Sequence, residues 1–354
     1  MRYSNFLFPE SRDPQRDGLV LDEVVEEVQL TELLGFDTLW LSEHHFDGNC
    51  AYVDPVSFAA AIAAMTRRVR IGFAVAQMSL HHPVRLAEQL ALIDHLSKGR
   101  LIVGIGRGTA YNIYEYQGYG IDHAEAQARF EEAADILLEA WTSEEGFRHH
   151  GRFWDLNVPV LRPRPYSRPH PLTIRAASGE QSLMELGAAG RPFLMNVQSL
   201  QTTQRRIERW REAAAASGVT AEAAQAALGQ SWVWRNIHVG ESDAAARRVG
   251  LPAFEAMQEH RSAMRRRVEA EQGLSMDRRD APPPARTDPG HALLCGSPST
   301  VAAQLAEIAA TGVGGVILQF RLGPMRWEDA RSSLTLFAEE VAPLLAREAT
   351  AATA

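Results

Sequence analysis

The chain has 354 residues, 45% of them hydrophobic and 23% charged, a composition that supports a sizeable core and excludes general disorder. Its formal net charge of -8 excludes a sequence-independent grip on nucleic acid, which needs clustered Lys and Arg to displace phosphate counterions; the short run Arg265-Arg266-Arg267 reads as a solvated face. Cys50 and Cys295 are too few and too far apart for a disulfide framework or a thiolate metal centre, so no metal is expected and a reducing compartment suits the chain.

The first residues, MRYSNFLFPESRD, contain no apolar secretory core, and the longest mostly apolar stretch, Val56 to Met65, is about half of a membrane span. A cytoplasmic protein without membrane contact is expected. Short β-rich runs then alternate with helical patterns along the chain, the mark of a parallel sheet with crossover helices. Eight strands are predicted, at 2–8, 37–42, 69–76, 101–105, 172–177, 193–198, 231–239 and 314–321. Helical patterns follow most of them, for instance Leu21 to Leu34 and Pro83 to Leu96, the latter opened by a proline and stopped at Lys98-Gly99.

A doubly wound dinucleotide fold would show the same alternation. Its fingerprint is missing: the first strand-to-helix turn, Phe8-Pro9-Glu10-Ser11-Arg12-Asp13, has no glycine, and Gly104-Ile105-Gly106-Arg107-Gly108-Thr109 ends on Thr109. The prediction is therefore an α/β protein, one (β/α)8 barrel domain over 1–345 with a tail at 346–354. Stretches 106–122, 143–171 and 252–290 exceed ordinary loop length and are read as insertions. The last is charged, ends in Ala281-Pro282-Pro283-Pro284 and reads as a mobile segment. The helix Pro55 to Met65 is apolar nearly all round, which fits either a contact between copies, as in a homodimer or higher oligomer, or uninformative alanines.

Chemistry is sought where strands leave the barrel at their C-terminal ends. The second strand runs into Ser42-Glu43-His44-His45-Phe46, and neighbours in an extended segment face opposite ways, so one histidine can face the pocket and shuttle a proton. The other reading is that both serve loop hydrogen bonds. His82, before Pro83, is expected to shape a loop, and His149 and His150 to be solvated. Arg107, between Gly106 and Gly108, suits a phosphate, or else a carboxylate on the rim. Ser178, Gln181 and Ser182 open a helix pattern, as an anion site or as plain caps.

Taken together, GFDTLWLSEHHF (35–46), RIGFAVAQMSLHHPVRLAEQLALIDHLSKGRLIVGIGRG (70–108), FEEAADILLEAW (130–141), GRFWDL (151–156), RPHPLTIRAAS (168–178) and GSPSTVAAQLAEI (296–308) resemble the luciferase-like flavin-dependent monooxygenases. The resemblance implies an enzyme that uses reduced FMN, delivered by a separate NAD(P)H-dependent flavin reductase, and O2 to oxygenate a small organic substrate through a peroxyflavin. It makes His44 the histidine at the reactive edge of the flavin, Arg107 with Gly106 a phosphate site, and Ser178, Gln181 and Ser182 further phosphate donors. It places a non-proline cis peptide at Ala74-Val75 beneath the ring, Phe6, Phe8, Tyr111 and Tyr116 near ring or substrate, and a lid at 252–290. A deazaflavin-dependent hydride-transfer enzyme and a non-catalytic flavin-binding barrel are the alternatives.

Overall fold

The computed structural model describes residues 1–52, 54–109, 112–273 and 284–353. Twelve strands are present among them: β1 (Arg2–Leu7), β2 (Thr38–Leu41), β3 (Arg70–Phe73), β4 (Ala76–Gln77), β5 (Leu101–Gly106), β6 (Phe147–His150), β7 (Asp155–Val158), β8 (Leu172–Ala177), β9 (Phe193–Met195), β10 (Trp232–Val239), β11 (Leu293–Gly296) and β12 (Gly315–Gln319). Eight of them close a parallel barrel in the order β1-β2-β3-β5-β8-β9-β10-β12, with β12 returning to β1. All eight predicted strands are these eight. β4 resumes the line of β3 after the cis peptide Ala74-Val75 and pairs with β5.

The helices that matter for the site are α1 (Asp17–Leu33), α2 (Pro55–Met65), α3 (Pro83–Ser97), α4 (Ile113–Gly118), α5 (Ala126–Thr142), α6 (Glu180–Ala188), α7 (Leu200–Ala216), α8 (Ala221–Gly229) and α9 (Asp243–Gln272). Pro83 does open α3, and Lys98 closes it in the left-handed conformation. On α2, Val56, Ala59, Ile62 and Ala63 are buried, whereas Ala61, Ala64 and Met65 face outward.

Alternation along each strand divides the core in two. On β1 and β2, Leu7, Leu39 and Leu41 point out against α1 and α2, while Phe6 and Trp40 point in and meet Ile102, Ile174, Trp232 and Ile317. Two indoles fill the interior because the neighbouring strand offers glycine beside each. Trp40 lies opposite Gly72 and Trp232 opposite Gly315 in the strand register. A methyl group on Gly72 would stand 2.4 Å from the Trp40 ring, and one on Gly315 2.2 Å from Trp232. The two rings meet edge to face at 5.3 Å, and the Trp40 N–H donates to Ser4 Oγ at 2.9 Å. Arg2, stacked on Trp232 at 4.7 Å, closes the N-terminal end.

The insertions have structure of their own. The 106–122 stretch carries α4, and 143–171 carries the antiparallel β6-β7 hairpin followed by two cis prolines, Pro163 and Pro169. The third differs from expectation: residues 252–272 continue α9, which buries Phe254, Met257 and Val268 and contains Pro252. Of the rest of the predicted lid, 274–283 lies outside the described residues, as does Tyr111, and 284–290 runs through two short helices, Pro284–Thr287 and the start of Pro289–Ala292. Arg266 and Arg267 are solvated as expected, but Arg265 is half-buried.

Gly72→Ala forces the methyl into Trp40 and is expected to destabilise the fold by about 1–3 kcal/mol, the usual cost of overpacking. Gly18→Ala, on exposed α1 with nothing within 4 Å of the new methyl, should instead stabilise it by about 0.5–1 kcal/mol. Thermal unfolding of the two variants beside the wild type checks both signs.

Candidate active site

The C-terminal ends of β1, β2, β3, β5 and β8 bring the described candidate residues to one rim. Leu7 pairs with Leu41, so Phe8 and the Glu43-His44-His45 segment leave neighbouring strands together. The His44 ring meets Phe8 edge-on at 5.4 Å, and its Nδ1 lies 3.3 Å from the Asn112 amide and 3.4 Å from Glu115 Oε1. His45 turns the other way, as an extended segment requires. Its Nε2 faces Glu43 at 3.0 Å and its Nδ1 faces the Tyr119 hydroxyl at 3.2 Å. In the neutral ring Nε2 therefore donates to the carboxylate and Nδ1 accepts from the phenol.

Glu43 was not singled out by sequence, yet it organises this end of the barrel. Its buried carboxylate also receives His81 Nε2 at 2.7 Å and the Gln77 N–H at 2.6 Å. Burial opposes the charge, but the nearby His81, the hydrogen bonds from His45 and His81 and the Gln77 N–H outweigh it and hold the carboxyl down at about 2. Burial likewise works against a charged His81, and Glu43 overcomes it, so His81 is raised. Gln77 then reaches Glu115 Oε2 through its side-chain N–H at 2.8 Å, while Glu115 Oε1 accepts the His45 backbone N–H at 2.9 Å. One hydrogen-bonded unit thus joins the ends of β2, β4 and α4.

Arg107 follows β5, and Gly108 follows it at φ +90, where a side chain would strike Gln77 Oε1 at 2.1 Å. Among the described residues the Arg107 guanidinium meets no carboxylate; its Nε contacts the Gly108 carbonyl at 3.5 Å. Ile105 pairs with Arg175, so the neighbouring β8 delivers Ser178 and the start of α6 to the same level. The helix is preceded by Gly179, without a side-chain cap, so the N–H groups of its first turn point outward unclaimed by the helix itself. Ser182 Oγ donates to the Gly179 carbonyl at 3.1 Å, and Gln181 donates to Glu185 at 3.2 Å. Glu180, in that turn, lies within reach of Arg205 and Arg209.

Ala74 and Val75 are half-buried above the interior cluster with Phe6, Phe8 and Trp234. Phe6 is buried against Trp234 at 4.5 Å. Tyr116 is buried, burial pushes its hydroxyl up to about 12, and that hydroxyl donates to the Arg107 carbonyl. It thereby ties α4 to the loop that carries Arg107. His82 is extended before α3, as expected. His149, expected in solvent, is held by Glu132 at 3.1 Å, whereas His150 is exposed.

The Glu43-His81 pair sets a pH window. Glu43, with its carboxyl depressed from 4.5 to about 2, adds stability that is complete above pH 4.5 and is lost as pH falls toward 2. His81, raised above 6.5, adds stability that is complete below 6.5 and is lost as pH rises through its folded titration. Urea unfolding across pH should show His81→Gln differing most from the wild type between about 4.5 and 6.5 and converging with it in alkali. A difference that widens in alkali overturns this assignment.

The sequence pattern of the luciferase-like monooxygenases matches residues 1–315. The oxygenase component of the flavin-dependent trigonelline monooxygenase of Acinetobacter baylyi is 31% identical over 172 residues, 48% of this chain and 47% of that protein. The chain thus matches about half the length of such curated relatives. A monooxygenase of Streptomyces bottropensis has a TM-score of 0.79 at 28% identity, covering 97% of this chain and 99% of that one. The oxygenating constituent of 3,6-diketocamphane monooxygenase of Pseudomonas putida, solved with FMN, shares the fold at a TM-score of 0.76 and 21% identity, over 97% and 98% of the two chains. With the pattern extending over nearly the whole barrel, the chain belongs to the luciferase-like monooxygenase family.

Proposed function

We propose that this chain is the oxygenase of a two-component system, taking reduced FMN from a separate NAD(P)H-dependent reductase and using O2 to oxygenate a small organic substrate. The observation that carries the reading is the pairing of His44, held against Phe8 by α4, with an Arg107 that meets no carboxylate among the described residues, both on the same rim. The residues fit FMN in chemistry as well. Arg107 and the uncapped start of α6 suit a phosphate dianion. Phe6, Phe8, Ala74, Val75 and Trp234 suit one face of an aromatic ring. Reduced FMN, when bound, supplies the two electrons that let one oxygen atom of O2 enter the substrate while the other leaves as water.

The protein's share is binding, water exclusion and proton control. Arg107 anchors the phosphate from the end of β5, with Gly106, Ser178, Gln181 and Ser182 around it. His44 holds or accepts a proton at the rim. α9, lying over α4 through Gln117 and Gln272 at 2.8 Å, covers one side of the mouth and limits water entry. No helix among the described residues is long and apolar enough to cross a membrane; a cytoplasmic setting and a homodimer complete the proposal. Deazaflavin-dependent enzymes use this barrel too. Titration with reduced FMN and with the deazaflavin separates the two, and binding of the deazaflavin alone would sink the FMN reading.

Arg107→Ala should raise the dissociation constant of reduced FMN roughly 10- to 150-fold, the worth of a charge-assisted hydrogen bond of about 1.5–3 kcal/mol, and leave riboflavin almost unaffected. Equal losses for both ligands remove Arg107 from the phosphate. His44→Ala should leave FMN affinity nearly intact and lower product formation by about two to four orders of magnitude, with oxygen still consumed and hydrogen peroxide released. Full activity of the His44 variant removes the proton role.

A further inference from the structure

We propose that Glu115, on α4, is the positioning residue for His44: its carboxylate keeps the proton of the neutral ring on Nδ1, so that proton exchange runs at Nε2. The inference rests on the oxygenase reading above only for its effect on turnover. Glu115 is almost fully buried, and both of its oxygens act as acceptors, Oε1 from the His45 N–H at 2.9 Å and Oε2 from the Gln77 side chain at 2.8 Å. The same Oε1 stands 3.4 Å from His44 Nδ1. At that distance the carboxylate charge disfavours a lone pair on Nδ1 and favours an N–H there. The choice of tautomer follows.

Two further contacts hold the ring in this pose. Asn112 reaches the same nitrogen with its amide Nδ2 at 3.3 Å, so an Nδ1–H ring requires the carboxamide turned by half, with its oxygen accepting. Phe8 sits edge-on at 5.4 Å and limits rotation of the ring plane. His45 cannot take over the task, because Glu43 and Tyr119 already occupy its two nitrogens. The charged and titratable groups around the doublet are therefore divided: Glu115 of α4 serves His44, and Glu43, shared with His81 before α3, serves His45.

The test uses the full chain, labelled with nitrogen-15 histidine and free of flavin, with the His44 signals identified by their loss in His44→Gln. In the wild type the neutral His44 ring should show a protonated Nδ1. In Glu115→Gln the proton should move to Nε2 in most molecules, with product formation down about ten- to a hundredfold, FMN affinity nearly unchanged, and partial recovery in Glu115→Asp. Asn112→Ala keeps the carboxylate and should keep the Nδ1 proton. A wild-type ring protonated on Nε2, an unchanged tautomer in folded Glu115→Gln, or loss of the Nδ1 proton in Asn112→Ala would each overturn the proposal. Because the resonance measurement needs neither flavin nor oxygen, it stands whether or not the chain proves to be an oxygenase. Should Glu115→Gln fail to fold, the wild-type and Asn112→Ala spectra decide.

Discussion

A closed eight-stranded barrel has to fill its own interior, and the rest of this structure depends on how that is done. Trp40 and Trp232 supply the volume, and Gly72 and Gly315 on the neighbouring strands give up theirs to admit the indoles. With Arg2 stacked below Trp232, the N-terminal half is packed solid. The charged candidates gather instead at the C-terminal ends, where loops bring them in from different strands.

The rim has its own requirement, which is to give its buried carboxyl groups hydrogen-bond partners. An isolated buried carboxylate is costly, so each must be surrounded by donors. Glu43 finds them in His45, His81 and the Gln77 backbone, and Glu115 in the His45 backbone and the Gln77 side chain. Gln77 is thus the bridge between the two acids. Its place at the end of the barrel lies opposite Gly106, one residue before Arg107, so the acidic half of the rim and its cation are tied into one strand register.

Much of this was legible in the sequence, and the misses share a cause. Period-two runs and turn residues located all eight barrel strands, since each signal lies within a few residues. That the two histidines face opposite ways followed from strand geometry, whereas the choice of His44 for the site came from the resemblance. Glu43 and Glu115 escaped notice because their partners are distant: His81 lies 38 residues from Glu43, and Glu115 lies 70 residues from His45. No local pattern announces such contacts. The bond from the Tyr116 hydroxyl to the Arg107 carbonyl is likewise a contact that no local pattern announces. In α9, charges and Pro252 concealed a stripe of small and apolar residues, Ala246, Gly250, Phe254 and Met257, whose spacing is helical.

The helix α9 also shows why a short helix such as α4 can hold a reactive side chain in place. Six residues form too few internal hydrogen bonds to be stable alone. On one side α4 is fastened from within by Glu115 to the His44-His45 segment and to Gln77. On the other, Tyr114 bonds to Glu271 under the Arg267 guanidinium, and Gln117 bonds to Gln272. The inner contacts are buried and the outer ones exposed, so the two sets differ greatly in worth: surface ion pairs contribute little, while buried charged hydrogen bonds contribute more. The pose of His44 therefore depends on the inner set, and not on the contacts that α9 adds from outside.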